Sequence, residues 1–255
     1  MKRHLAPFLI LCFCLTTNAS AQTVVDVVER PANNVTNTNY VTFRAPLQQV
    51  PLTKLPVGKI QPKGWLRKYL ELQKNGLNGQ LGTISAWLDK NNNQWLSNGG
   101  DHGWEEVPYW IRGYISLAYI LGDNAMKYEA NTWIRAVLSN QSSNGMLGPD
   151  GYDGNSPDLW AKMPMLWAMQ TYYEGTGDKR VLTAMEKYFL WELTIPDEQF
   201  LKGLWQEKRG GDNLWSVLWA YNRTGNESIL PLVDKLHRNT SNWAMSGTLP
   251  NWHGV

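Results

Sequence analysis

The residues with most chemistry to offer are carboxylates and tryptophans that recur together. Asp101, Glu105 and Glu106 surround Trp104, Asp153 and Asp158 precede Trp160, and Glu207 and Asp212 follow Trp205. Glu105 and Asp158 lie 53 residues apart and Asp158 and Asp212 lie 54 apart, so the three acids hold equivalent places in a repeating plan. Glycoside hydrolysis ordinarily uses two carboxyl groups roughly 5–10 Å apart, one of them kept protonated by its surroundings. Trp104 and Trp110 flank Glu105 and Glu106 and offer such apolar surroundings, which makes these two glutamates the catalytic candidates. A plainer reading stays open beside this one. Acidic residues at a helix start favour the helix dipole by up to about 1 kcal/mol, and capping is the expected role of Asp158 and Asp212.

The fourteen tryptophans extend the same theme, because an indole face stacks on the flat C–H face of a sugar while polar neighbours bind its hydroxyls. Trp104, Trp160, Trp205 and Trp252 stand where loops meet helices, whereas Trp133, Trp167, Trp191, Trp215 and Trp219 fall at apolar helical spacing and are expected in the core. The substrate-binding candidates are therefore Asp101, His102, Trp104, Asp153, Trp160, Trp205, Arg209, Asp212 and His253. A histidine beside carboxylates can bind a hydroxyl or hold a proton. Arg209 can meet a carboxylate-bearing sugar, or belong to a solvated charge run. No short ligand spacing joins the histidines and acids, so no metal site is expected. The loop of residues 150–155 with Asp158 lacks the ligand alternation and closing glutamate of a calcium loop and is expected to be an ordinary turn.

These side chains need elements to hold them. Residues 101–122 run from polar sequence into an amphipathic stretch that ends at Gly122, with Trp110, Ile111, Tyr114, Leu117, Ala118 and Leu121 on one apolar face. The plan returns at residues 156–178 and 210–226. Each copy places Tyr shortly before Gly (Tyr119 and Gly122, Tyr173 and Gly177, Tyr221 and Gly225), then Asp or Asn, then a second helical run. Those second runs cover residues 125–138, 179–193 and 227–243. Gly122 and Gly177 are 55 residues apart and Gly177 and Gly225 are 48 apart, a period that fits two helices joined by a tight turn. A further helix opens near Pro62 with Trp65, Leu66, Tyr69, Leu70 and Leu72 on its apolar face, and residues 77–100 are expected to form a long loop. Seven helices result. Aromatic inner helices of this length suit a ring in which the first helix of each hairpin lies inside, so that residues 97–106, 145–158, 203–213 and 246–255 share one rim.

Lys2 and Arg3, the apolar run 5–15 and Ala19-Ser20-Ala21 form a secretory signal, cleaved after Ala21, and place the protein outside the cytoplasm, secreted or periplasmic. Cys12 and Cys14 lie within it, leaving a mature chain without disulfides or thiolate ligands. Removal of Lys2 and Arg3 leaves 22 basic residues against 22 acids, which gives no electrostatic reason to expect nucleic acid as a partner. No later apolar run is long enough to span a bilayer. Residues 22–56 read as an entry segment with one or two short strands, such as the alternation at 40–43, and residues 57–255 as one helical domain.

The stretches VGKIQPKGWLRKYLELQKNGLNGQL and WEEVPYWIRGYISLAYILGD resemble the opening of glycoside hydrolase family 127, the β-L-arabinofuranosidase group. Trp104-Glu105, Pro108-Tyr109-Trp110, Gly113 and Leu117-Ala118-Tyr119 carry the strongest likeness, and Trp252-His253-Gly254 is similar to the segment that opens the next inner helix there. The resemblance covers residues 51–255 and implies an all-α (α/α)6 toroid of helical hairpins acting on oligo- or polysaccharides of plant type. In that family a cysteine nucleophile, its zinc site and the acid/base glutamate lie C-terminal to the matched part. The chain is therefore read as the N-terminal portion of a longer toroid, with catalytic residues and any zinc site downstream. Two other classes stay open: a toroid polysaccharide lyase using Tyr109, His102 and Arg209, and a non-catalytic glycan-binding module.

Overall fold

The computed structural model describes residues 27, 41–50, 52–96 and 100–246, and every element below lies in one compact unit, Asn33–Val255. Its helices are α1 (Gly64–Asn75), α2 (Leu77–Ile84), α3 (Glu106–Leu121), α4 (Asn124–Ser139), α5 (Lys162–Thr176), α6 (Arg180–Thr194), α7 (Leu204–Thr224), α8 (Pro231–Asn239) and the short α9 (Trp243–Ser246). A two-stranded antiparallel hairpin, β1 (Tyr152–Asp153) and β2 (Ser156–Pro157), projects between α4 and α5. The fold is all-α, a run of helical hairpins of the toroid class.

The repeat has a common stereochemical device. Gly122, Gly177 and Gly225 end α3, α5 and α7 in the left-handed region at φ 71°, 72° and 72°, where a side chain is disfavoured. The following residue then starts the next helix. Asp123 accepts from the Met126 N–H at 2.9 Å, Asp178 from the Arg180 N–H at 3.1 Å and Asn226 from the Ser228 N–H at 3.1 Å. Each turn thus satisfies one helix end and opens the next within two residues.

Packing sorts the helices into an inner row, α3, α5 and α7, and an outer row, α4, α6 and α8. The face expected on α3 is buried as read, from Trp110 and Ile111 through Leu121. Helix α5, between α3 and α7, is buried nearly all round by Met163, Pro164, Met165, Leu166, Ala168 and Met169. That is why its apolar pattern lacks a clean stripe.

The structure departs from the sequence reading in several elements. Residues 77–100 are not one long loop, since they contain α2 and two short 3-10 turns, Ala86–Leu88 and Lys90–Asn92. Residues 203–213 are not a loop either: α7 begins at Leu204 and runs through Gly210, whose Cβ would lie 2.0 Å from Thr240 Oγ1. Gly210 is small because the end of α8 crosses close to it, not because the chain turns there. The run 227–243 divides into a 3-10 turn (Glu227–Ile229), α8 and α9, so nine α-helices stand among the described residues instead of seven. Residues 41–43 form no strand, and the entry segment is tied instead by its backbone to α7. There the Arg44 N–H donates to Asn222 Oδ1 at 2.5 Å and the Tyr221 hydroxyl to the Ala45 carbonyl. The signal sequence, Tyr40 and residues 247–255 lie outside the described residues.

Candidate functional site

The rim of the inner row is built from the loops that feed α3 and α5. Trp95, 1% exposed, anchors the first loop: its indole N–H donates to the carbonyls of Gly103 at 3.0 Å and Trp104 at 3.1 Å. Gly103 sits at φ 85° with Asn93 Nδ2 only 2.5 Å from where a Cβ would be, so this approach admits no larger residue. Trp104 is thereby fixed at the mouth of α3, and Glu105 stands at the helix cap.

A crossed pair of hydrogen bonds joins the two loops. The Trp104 indole N–H donates to Asp158 Oδ2, and the Trp160 indole N–H donates to Glu105 Oε2 at 2.7 Å. Each repeat gives a tryptophan donor to the other repeat's acid. Asp158 also accepts from the Trp160 backbone N–H at 2.9 Å. A carboxylate that accepts one indole N–H keeps lone pairs for sugar hydroxyls.

The second loop is held from behind by Lys162. Its ammonium is 2% exposed and donates to the carbonyls of Pro149 at 2.7 Å and Asp158 at 2.6 Å, closing the loop across its base. Burial lowers the Lys162 pKa to about 8, while Asp158, Asp150 and Glu192 act to raise it. Gln206 of α7 completes the anchor, accepting from the Leu159 N–H at 3.0 Å and donating to Ser156 Oγ at 2.9 Å. These supports frame a cavity of about 780 Å³ with Trp104, Asp158, Trp160, Trp205 and Tyr152 in its wall. Trp205 is 47% exposed and leaves much of its surface open to a ligand.

Beside the cavity the inner face carries a charged aromatic patch. The Arg209 guanidinium lies 5.2 Å from the Trp160 ring centroid and that of Arg112 lies 4.0 Å from the Trp167 ring. Tyr109 and Trp160 have ring centroids 6.1 Å apart. Burial raises the Asp212 pKa against the opposing pull of Arg209 and Arg112. Burial also raises the pKa of the Tyr109 hydroxyl, with the Glu105 charge adding to it.

Of the candidates read from sequence, Glu105, Trp104 and Trp160 meet in the crossed pair, Trp205 joins the cavity wall, and Arg209 and Asp212 lie on the inner face. Neither Asp158 nor Asp212 caps a helix: Asp158 lies four residues before α5 and binds the rim tryptophans, and Asp212 sits within α7. Trp110 does not screen the glutamates but packs on Tyr114 and Trp133 and donates to the Asn78 carbonyl at 3.0 Å. Glu106 keeps Oε2 buried without a hydrogen-bond partner among the described residues. Asp101 is exposed. His102 is engaged within its own loop, with Nδ1 3.0 Å from the Ala86 carbonyl and its ring 5.0 Å from that of Trp87. Asp153 contributes its backbone to β1, and His253 and Trp252 lie outside the described residues. Trp215, expected in the core, is 48% exposed and lines a groove with Phe43, Leu47 and Trp219.

Sequence reading missed Trp95, Lys162, Gln206 and Arg112. Among the described residues no three His, Cys, Asp or Glu side chains converge as a metal-binding group. No helix among the described residues is long and apolar enough to cross a membrane.

A row of helical hairpins whose inner rim couples tryptophans to carboxylates is the architecture of toroid carbohydrate-active enzymes. The family described as β-L-arabinofuranosidase, GH127 catalytic domain, matches residues 20–254, and the chain belongs to that family of glycoside hydrolases. Neither a curated protein nor a solved structure matches the chain.

Proposed function

We propose that the protein hydrolyses β-L-arabinofuranosidic or closely related linkages in plant-type glycans outside the cytoplasm, and that this chain supplies the N-terminal hairpins of the toroid. The crossed Trp104–Asp158 and Trp160–Glu105 pair carries this reading. It fixes Trp104 and Asp158 in the wall of one cavity and ties Glu105 to that wall through the Trp160 indole, as orientation of a glycosidic bond requires. Trp104 and Trp205 hold sugar faces, Trp160 orients Glu105, and Glu105 and Asp158 accept sugar hydroxyls.

The test uses the protein from its complete coding sequence and a chromogenic aryl β-L-arabinofuranoside. Release of the aryl group, with free arabinose as the sugar product, is the expected result. Absence of turnover on this and on plant arabinans would overturn the hydrolase reading. Products of an acidic polysaccharide that absorb in the near ultraviolet would then mark a lyase, and binding alone a glycan-binding module.

A further inference from the structure

The arginines of the inner face have an arrangement that a neutral glycan does not require. Arg112 comes from α3 and Arg209 from α7, and they converge from both sides on the indoles of the middle repeat, Trp167 and Trp160. A guanidinium laid on an aromatic face keeps its in-plane N–H donors free. Among the described residues neither the Arg112 nor the Arg209 guanidinium has a hydrogen bond or an ion pair within 4.0 Å. Several other arginines do find carboxylates: Arg180 binds Asp178 at 2.6 Å, Arg238 binds Asp197 at 3.2 Å, and Arg223, also stacked on an indole, lies 3.8 Å from Glu174.

The acids nearby do not use up this capacity. Glu105 is engaged by the Trp160 indole at 2.7 Å, and Asp212 sits in the field of both arginines without pairing directly to either. Two guanidinium forks held over buried or half-buried indoles suit a planar carboxylate carried on a sugar ring, since such a group takes two parallel N–H bonds. We propose that Arg112 and Arg209 form a subsite for the carboxylate of an acidic sugar residue bound at the inner face. This rests on the reading of the inner rim as the glycan site, and adds a uronic acid unit to the substrate class.

Calorimetric titration with trigalacturonate, and with the same trisaccharide fully methyl-esterified, tests it on the protein from its complete coding sequence. The free acid is expected to bind at least tenfold tighter than the ester, with that preference shrinking as salt rises. Arg112→Met and Arg209→Met are each expected to reduce the acid-to-ester ratio at least fivefold, with melting temperatures measured alongside. Arg112→Lys, which keeps charge but not the fork, is expected to fall between. Equal affinity for acid and ester, no binding of either, or an unchanged ratio in both Met variants would overturn the proposal. Because the readout is binding, an acid preference without turnover of the aryl arabinofuranoside would uphold the subsite and sink the hydrolase reading. Turnover without acid preference would do the reverse.

Discussion

Trp160 has three engagements: its indole N–H reaches Glu105, its backbone N–H reaches Asp158, and Arg209 lies over its ring. Trp160→Phe removes the indole donor and part of the buried ring. It is expected to cost about 1–3 kcal/mol of stability and to raise KM for glycan more than it lowers kcat, as steady-state kinetics and denaturant melts would show. Trp160→Ala removes a nearly buried ring and is expected to cost about 3–5 kcal/mol. At this scale the sequence showed which residue types could handle a sugar, because Trp beside Asp or Glu recurs at a fixed interval. It did not show Trp95 or Lys162. A tryptophan in a loop and a lysine at a helix start carry no local sign that one will anchor a rim and the other lie buried under two carbonyls, since both roles arise only when distant segments meet.

Helices were legible where glycine served the backbone and misread where it served packing. Gly177 lies at φ 72° with nothing within 4 Å of an added Cβ, so Gly177→Ala meets only the conformational cost of the left-handed region, about 1 kcal/mol. Gly175, two residues earlier, would bring a Cβ to 2.6 Å from the Tyr119 ring, so Gly175→Ala is expected to destabilise more than Gly177→Ala. Thermal melts of the two variants side by side check the ordering. The same distinction explains the missed elements. Gly79 in α2 and Gly210 in α7 look like breakers in sequence, yet each lies inside a helix where another segment passes close by, Lys74 O at 1.7 Å from a Cβ in the first and Thr240 Oγ1 at 2.0 Å in the second.

Across the whole molecule the hairpins are fastened by buried charge. Glu192 of α6 is fully buried and accepts from Asn213 of α7 at 2.8 Å, while Lys235 of α8 donates to the Glu192 carbonyl at 3.0 Å. Burial raises the Glu192 pKa from 4.5 to about 7, so the folded chain holds this proton more tightly than the unfolded chain, and stability falls as pH rises from 4.5 to about 7. Lys162 runs the other way. Its folded pKa of about 8 lies below the ordinary 10.5, so the unfolded chain binds the proton more tightly and stability rises as pH climbs from about 8 to 10.5. Each arm amounts to about 3 kcal/mol. Melting temperature against pH is therefore expected to have a shallow minimum near neutrality. Glu192→Gln should flatten the acid arm and Lys162→Met the alkaline arm. The hairpin period and the inner and outer order of the helices were open to reading from sequence, whereas this joint was not, because a lone Glu or Lys on a helix reads as solvated until the partner helices cover it.

Orientation of glycan for hydrolysis by the crossed tryptophan–carboxylate pair is probed most directly by Glu105→Gln. The amide oxygen can still accept the Trp160 indole N–H, so the fold and its melting temperature are expected to hold, while kcat/KM on the aryl β-L-arabinofuranoside falls at least tenfold. Unchanged kinetics in a folded Glu105→Gln protein would contradict the account and remove the rim pair from the site.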